Sequence, residues 1–242
     1  MASITVNGSN SGQTISGNDN TITVEPGTFV VRVNGNTNNV TGGTGPNTYV
    51  TQGTNNAVTL GSGGGTFTAL GNRTQVTASR GDATGTIQGD DAAFTGGDNR
   101  VQVRVIGDRA TLTLSPTNTN ANTLLLQGDG IVFTGGAGAD TIAAVGTDDF
   151  LSGAGGADTF AFAAGNDAFG TPDLSAPTVL DFDAATAGER IAVLVAPNGA
   201  YGPTLSSLGL TAQSPLDPTR FAVGAAATSA ATRFVYNPAT GQ

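Results

Sequence analysis

The chain repeats a pattern every 18 residues, and this period constrains its fold more than any other feature. Each repeat begins with a glycine, and the phase resumes at residue 128 after three additional residues enter the sixth repeat. The leading glycines are Gly17, Gly35, Gly53, Gly71, Gly89, Gly107, Gly128 and Gly146. A short fixed period of this kind is typical of a solenoid, in which each repeat packs only against its neighbours.

Every repeat carries two apolar positions nine residues apart. The first stands five residues after the leading glycine and is followed by threonine, or by serine in the last repeat. The first positions are Ile22, Val40, Val58, Val76, Phe94, Leu112, Phe133 and Leu151; the second are Val31, Tyr49, Phe67, Val103, Ile142 and Phe160, with Gly85 as a gap. Such β-prone runs, flanked by Gly, Asn and Asp, predict two short strands and two turns per repeat.

We therefore predict an all-β fold: a parallel β-solenoid or β-roll of 18-residue coils, followed by a small β-rich C-terminal cap. Coils stack about 4.8 Å apart in such a fold. Because side chains alternate across a strand, an inward Val40 places Thr41 outside. We expect the first apolar positions to form one buried column and the neighbouring threonines one exposed column.

Composition excludes several classes of function. The chain contains no His and no Cys, which rules out disulfides, the usual zinc sites, Ser-His-Asp triads and Cys nucleophiles. A carboxylate-only glycosidase, or a lyase that uses Tyr or Arg, stays open. The net charge of −9 repels nucleic acid and anionic membranes and favours small cations. No apolar run approaches 18 residues, so we expect no membrane insertion.

A glycine-aspartate motif stands in the C-terminal repeats. The stretch "GGAGADTIA" (135–143) matches the nonapeptide GGxGxDxUx, where U is an inward apolar residue. The next three nonapeptides, to residue 170, keep the Asp and the apolar residue. This block resembles the repeats-in-toxin (RTX) family of calcium-binding β-rolls. Glycines allow left-handed turns, and Asp supplies the hard oxygen ligands that Ca²⁺ prefers.

The resemblance implies a set of calcium ligands. Successive nonapeptides lie on opposite sides of a roll, so Asp140 and Asp158 share one side, and Asp149 and Asp167 share the other. In the family, each ion lies between two such turns and is held by both aspartates and by backbone carbonyls. Carried over, the first site would use Gly135, Ala137, Asp140, Ala154, Gly156 and Asp158. Acidic turns that are solvated without a metal remain the alternative.

The earlier repeats carry Asn in their turns, and Asn can stack its amides in a ladder without any ion. We therefore predict a calcium-independent solenoid over 1–134 and calcium-binding coils over 135–170. Residues 171–242 resemble the C-terminal region that follows RTX repeats, with matches at Leu180, Asp181, Phe182, Gly188, Arg190 and Ile191. The resemblance implies a cap, type I secretion, and an extracellular or cell-surface location in a Gram-negative bacterium.

Three classes of function follow from these observations. The first, which we favour, is a secreted, non-enzymatic structural protein that binds calcium and associates end to end into fibres, biofilm matrix or a surface layer. The second is an extracellular adhesin or binding module for a surface or a cell-surface polysaccharide. A polysaccharide-modifying enzyme and an ice-binding protein are further alternatives; the Thr-x-Thr pairs that ice binding would need form no continuous two-column array.

Overall fold

The computed structural model describes residues 1–163, 177–183, 186–194, 221–223 and 234–236. Over these residues the fold is all-β and contains no helix. Two ten-stranded parallel sheets face each other, and successive strands alternate between them. The first sheet consists of β1 (Ser3–Val6), β3 (Thr21–Val24), β5 (Asn39–Thr41), β7 (Ala57–Leu60), β9 (Gln75–Ala78), β11 (Ala93–Gly96), β13 (Thr111–Thr113), β15 (Val132–Thr134), β17 (Phe150–Ser152) and β19 (Thr178–Val179).

The second sheet contains the even-numbered strands, also arranged in chain order. It consists of β2 (Thr14–Ser16), β4 (Val30–Asn34), β6 (Asn47–Gln52), β8 (Gly65–Leu70), β10 (Ala83–Gln88), β12 (Val101–Ile106), β14 (Thr123–Gln127), β16 (Thr141–Val145), β18 (Thr159–Ala163) and β20 (Arg190–Leu194). A separate pair joins β21 (Phe221–Val223) and β22 (Phe234–Tyr236) in parallel. The architecture is the predicted parallel β-solenoid.

Strand pairing follows the repeat. Ile22 pairs with Val40, and Val40 pairs with Val58, so each coil sits on the one 18 residues earlier. The eight first apolar positions are at most 2 % exposed, and the threonines beside them point outward. Both predicted columns are confirmed. A fully buried apolar side chain contributes about 1.5–3 kcal/mol, so this column holds the two sheets together.

The gap in the second apolar column is filled by a neighbour. Gly85 pairs between Phe67 and Val103, and a Cβ at Gly85 would collide with the Phe67 ring. That ring stacks on Phe94, with 5.9 Å between the ring centroids. The glycine therefore makes room for an aromatic side chain, and the core stays continuous.

The turns explain the leading glycines. Gly35 has a φ of +148°, and a Cβ there would collide with the carbonyl of Gly17 in the preceding coil. Two residues later Thr37 is left-handed, with a φ of +58°, and the same conformation recurs in the following coils. Close stacking and a positive φ both favour glycine at this position.

The solenoid is longer than the visible repeat. At the N-terminal end, β1 and β2 add a coil, with Ile4 paired to Ile22. At the other end, β19 and β20 add another, which we call the last coil. The sequence suggests two strands around a turn that cover the open end; the structure instead makes each one the terminal strand of a different sheet. Residues that pair here, such as Phe150 and Thr178, lie more than 18 positions apart in sequence. The 18-residue period therefore does not reveal this coil.

Candidate metal centre

A ladder of buried amides runs along one turn of the N-terminal coils. Asn20, Asn38 and Asn56 stand three residues after their leading glycines and are at most 6 % exposed. Each side-chain Oδ1 accepts a hydrogen bond from the backbone N–H of the preceding coil, at 3.2, 3.0 and 2.9 Å in turn. The predicted stacking of amides is present, and it points into the solenoid.

Asp149 occupies the same ladder position near the C-terminal end. Its Oδ1 accepts from the backbone N–H of Ile131 at 2.8 Å, as the amide oxygens do. The second atom differs: in Asn56, Nδ2 donates to the carbonyls of Gly35 (2.9 Å) and Gly53 (3.0 Å). In Asp149 that atom is Oδ2, which is buried and has no hydrogen-bond partner.

This arrangement makes Asp149 electrostatically unfavourable as a carboxylate. Burial raises its pKa from 3.8 to about 7, against the opposing effect of the Ile131 N–H. The negative charges of Asp129, Asp148 and Asp108 raise the pKa further. A buried anion without a donor or a counterion is costly, so this position favours a proton or a cation.

The opposite turn carries a second ladder. Asn122 Oδ1 accepts from Val101 N at 2.8 Å. Asp140 Oδ1 accepts from Asn122 N (3.0 Å) and Asn122 Nδ2 (2.7 Å). Asp158 Oδ1 accepts from Asp140 N at 2.7 Å. The structure thus brings Asp140 and Asp158 into one column, 1 % and 2 % exposed.

Both of these carboxylates are shifted toward the protonated form. Burial raises the pKa of Asp140, while hydrogen bonds from Asn122 and Gly136 lower it. Burial raises the pKa of Asp158 to about 6; the Asp140 N–H opposes this, and the charges of Asp140, Glu189 and Asp181 add to it. Two stacked carboxylates therefore lie in a region where a cation would relieve both desolvation and repulsion.

The glycines of the motif make room for these carboxylates. A Cβ at Gly153 would collide with the carboxylate of Asp158, and one at Gly135 would lie 2.8 Å from Asp140 Oδ2. Each aspartate therefore folds back over the first glycine of its own repeat. This close approach explains why a glycine precedes each Asp by five residues.

The other predicted ligands lie in the same two turns. Ala137 and Ala154 are exposed, and Ala154 and Gly156 have positive φ values of +66° and +114°. The turn that contains Ala154 and Gly156 stacks on the turn that contains Ala137, and Gly155 N donates to Gly136 O at 2.8 Å. Asp149 lies on the opposite side of the solenoid, as expected, and Asp167 lies outside the described residues.

Carboxylates alone do not build a metal site here. In the part of the chain that the structure describes, no group of three or more Asp or Glu side chains could hold a metal ion. A cation at Asp140 and Asp158, or at Asp149, would have to complete its shell with backbone carbonyls. Ca²⁺ accepts carbonyl oxygens readily and binds six to eight ligands.

Two contributors were missed from the sequence. Asn118 is fully buried, and its carbonyl accepts from Ala137 N (2.7 Å) and Gly138 N (2.9 Å), which supports the first turn of the motif. Asp181 was assigned to the cap, yet its carboxylate accepts three hydrogen bonds from the turn at 152–154. The 18-residue spacing of Asn122, Asp140 and Asp158 was the available signal that the aspartates continue an amide ladder.

The fold and the site together define a class: a parallel β-solenoid whose C-terminal coils bury carboxylates where the earlier coils bury amides. No family model, no curated protein and no solved structure matches the chain. Among the described residues, no helix is long and apolar enough to cross a membrane.

Proposed function

We propose that this chain is a secreted structural protein that binds calcium in its C-terminal coils and associates end to end. One observation carries the calcium part: Asp149 takes a ladder position that Asn holds in the first three repeats, and its Oδ2 is buried without a hydrogen-bond partner. The corresponding amide nitrogen of Asn56 donates to two glycine carbonyls. At Asp149 the equivalent carbonyls belong to Gly128 and Gly146.

A buried carboxylate oxygen without a hydrogen-bond donor needs a positive partner. A proton serves below the pKa of about 7, and a cation serves above it. Ca²⁺ is the cation whose preference for carboxylate and carbonyl oxygens fits such a set. On the other side, we expect calcium to use Asp140 and Asp158 with carbonyls of Gly135, Ala137, Ala154 and Gly156, as the resemblance to RTX β-rolls implies. On the Asp149 side, the resemblance implies that Asp167 joins Asp149.

Calorimetric titration with CaCl₂ at pH 8 tests this proposal. We expect the native protein to bind calcium, Asp140→Asn/Asp158→Asn to lose the binding at their own turn, and Asp149→Asn to lose the binding on the opposite side. The Asn side chains keep Oδ1 as a ladder acceptor, so the variant should still fold. Asp108→Asn is the matched control, because Asp108 is a partly exposed aspartate that accepts only a turn N–H. No heat at millimolar calcium, or unchanged binding in the double variant, contradicts the proposal.

The structural part of the proposal is supported by the N-terminal end of the solenoid. Among the described residues, no strand pairs with the outer edge of β1 or β2, and an unpaired edge of this kind can accept a strand of another chain. A single side chain, Asn10, bonds one carbonyl of β1, that of Thr5 at 2.8 Å. Head-to-tail stacking does not close by symmetry, and it would yield fibres, a matrix or a surface layer outside the cell.

Light scattering with and without calcium tests association. We expect calcium to order the C-terminal coils and to increase the scattering of the native protein in a concentration-dependent way. Asp140→Asn/Asp158→Asn should respond less. A protein that binds calcium and remains monomeric at high concentration contradicts end-to-end assembly.

An adhesin is the second candidate, and one surface feature favours it. The first sheet carries an unbroken outward column of hydroxyls, which are those of Thr5, Thr23, Thr41, Thr59, Thr77, Thr95, Thr113, Thr134 and Ser152. Such a column can hydrogen-bond to a polysaccharide on a cell surface. Sedimentation with insoluble polysaccharides tests it, and alanine at Thr59, Thr77 and Thr95 should reduce the binding.

A further inference from the structure

Asp181 fastens the last coil to the turn that leads to Asp158. Its carboxylate accepts hydrogen bonds from Ser152 Oγ (2.6 Å), Gly153 N (3.0 Å) and Ala154 N (2.7 Å). Hydrogen bonds to an ionised acceptor are roughly twice as strong as neutral ones. Three of them on one carboxylate form a specific clamp between two segments far apart in sequence.

The clamped turn is part of the candidate metal centre. Gly153 lies directly against the Asp158 carboxylate, and Ala154 is one of the expected carbonyl ligands. The last coil also bonds the chain on either side of this turn: Leu180 N donates to Leu151 O (2.8 Å), and Arg190 N donates to Asp158 O (2.9 Å). Asp181 therefore adds side-chain hydrogen bonds in a region where the last coil already contacts the candidate site through backbone, as in the bond from Arg190 N to Asp158 O.

The clamp has an electrostatic consequence as well. The Asp181 charge is one of those that disfavour the ionised form of Asp158. Without a cation, docking of the last coil brings a further carboxylate toward a buried one. A cation held beside Asp158 reverses the sign of that interaction, because it attracts Asp181.

We propose that Asp181 is a positioning residue through which calcium loading at Asp140 and Asp158 and docking of the last coil stabilise each other. Calcium loading and docking of the last coil both require the turn at 152–154 to hold one conformation. The event that occurs first orders the turn, so the second loses less conformational entropy. Coupling of this kind is reciprocal. The calcium arm rests on the proposed function above, whereas the docking arm rests on the hydrogen bonds alone.

Hydrogen exchange of residues 177–194, with and without CaCl₂, tests both arms in the full chain. We expect Asp181→Ala to raise exchange in this segment about tenfold or more without calcium, because three hydrogen bonds to a charged group are lost. In the native protein, calcium should slow this exchange further; in Asp181→Ala that slowing should disappear, and calorimetry should show weaker calcium binding. Ser152→Ala removes one of the three bonds and keeps the charge, so we expect a smaller change in the same direction.

Asp183→Asn is the matched control. Asp183 lies two residues away, carries the same charge, and its carboxylate accepts from Thr186 Oγ1 (3.1 Å) in its own turn. We expect exchange and calcium affinity within about twofold of native, since Asp183 makes none of the hydrogen bonds to the turn at 152–154 and substitutions away from such contacts usually change stability little.

The possible results separate the two arms. Native-like exchange in calcium-free Asp181→Ala overturns the clamp. Faster exchange in that variant, together with unchanged calcium affinity and unchanged slowing by calcium, overturns the coupling and leaves the proposed function intact. A native protein that binds no calcium overturns the proposed function and the coupling together, while the calcium-free exchange still decides on the clamp.

Discussion

The N-terminal and C-terminal coils use the same ladder position for opposite chemistry. In the amide coils, defined by Asn20, Asn38 and Asn56, one side-chain atom accepts from the preceding coil and, in Asn56, the other donates to glycine carbonyls. In the carboxylate coils, defined by Asp140, Asp149 and Asp158, the accepting atom is kept and the donor is lost. Replacement of the NH₂ group by oxygen removes the donor that Asn56 uses and leaves a buried oxygen that needs a proton or a cation. In the amide ladder, only Asn20 Nδ2, in its first coil, has no hydrogen-bond partner.

A third set of turns shows that charge alone does not make this difference. Asp90 and Asp108 each accept an N–H from the following coil at 3.0 Å, in the role that Asn18 and Asn36 have at 2.8 Å. These aspartates are partly exposed, so their second carboxylate oxygens are accessible to water, and that of Asp90 also lies 4.0 Å from Arg109 Nη2. Burial, rather than the Asp residue itself, is what creates the demand for a counterion.

The largest expected effect is a pH dependence confined to the carboxylate coils of the calcium-free protein. Asp149 binds its proton more tightly in the folded state, where its pKa is about 7, than in the unfolded chain, where it is 3.8. Its stabilising effect is therefore fully present below pH 3.8 and is lost as the pH rises through 7. The loss is on the order of 4 kcal/mol.

Exchange protection factors in EDTA at pH 5 and pH 8 measure this loss. We expect the factors for residues 147–163 to fall at the higher pH and those for residues 20–60 to stay constant. Asp158, with a pKa of about 6, should contribute over the lower part of the same window. Equal protection of 147–163 at both pH values contradicts the effect of burial.

Transfer of the carboxylate into an amide coil is the next test. Asn56→Asp removes two hydrogen bonds, to Gly35 O and Gly53 O, and places a charged oxygen beside both carbonyls. We expect a loss of about 3 kcal/mol at pH 8 and a partial recovery at pH 4, where the new carboxyl group is protonated. Urea unfolding at the two pH values measures it. Asn36→Asp, in an exposed ladder, is the control and should change stability little.

The reverse exchange should stabilise the calcium-free protein. Asp149→Asn replaces the unpartnered Oδ2 with an NH₂ group that can donate to glycine carbonyls, as Asn56 does. We expect a gain of about 2 kcal/mol at pH 8 and no gain at pH 4. The pH dependence of residues 147–163 should shrink in parallel. A variant that is less stable than native at pH 8 without calcium would show that Asp149 has a partner other than a proton or a cation.

Much of the fold was predictable because the residues that repeat have clear structural preferences, glycine for tight turns and apolar side chains for the core. Leading glycines mark the turns, and the column from Ile22 to Leu151 marks the core, so eight coils could be placed in register. Residues 1–16 were included in the predicted solenoid over 1–134, but the repeat assigned them no register because the leading glycines begin at Gly17. The last coil was missed because its spacing is irregular, and strand pairing rather than sequence period puts Thr178 beside Phe150.

The candidate site was predictable only in part. The 18-residue spacing of Asp140 and Asp158 correctly places both in one column. The sequence interpretation treated the aspartates as turn ligands. It did not recognise that Asp140 and Asp158 continue a ladder from Asn122, or that Asp149 takes the position of the amide ladder after four coils with Thr, Ala or Ile there. These relations depend on which way each side chain points, and Asn122 and Asp149 reveal them only through their hydrogen bonds to the preceding coil. The clamp by Asp181 joins residues that lie 27 to 29 positions apart in sequence, and no local pattern encodes such a contact.

The smallest expected effect completes the comparison. Asp108→Asn changes a carboxylate to an amide at a turn where Asn36 already performs the same task, accepting an N–H from the following coil. The second carboxylate oxygen is solvated, so removal of its charge relieves only weak repulsion from neighbouring aspartates. We expect a change in unfolding free energy within about 0.5 kcal/mol and no dependence on calcium. Urea unfolding beside Asp149→Asn measures the contrast directly. If both substitutions stabilise the protein equally, relief of surface charge explains the gain, and the buried ladder does not have the special role argued for it.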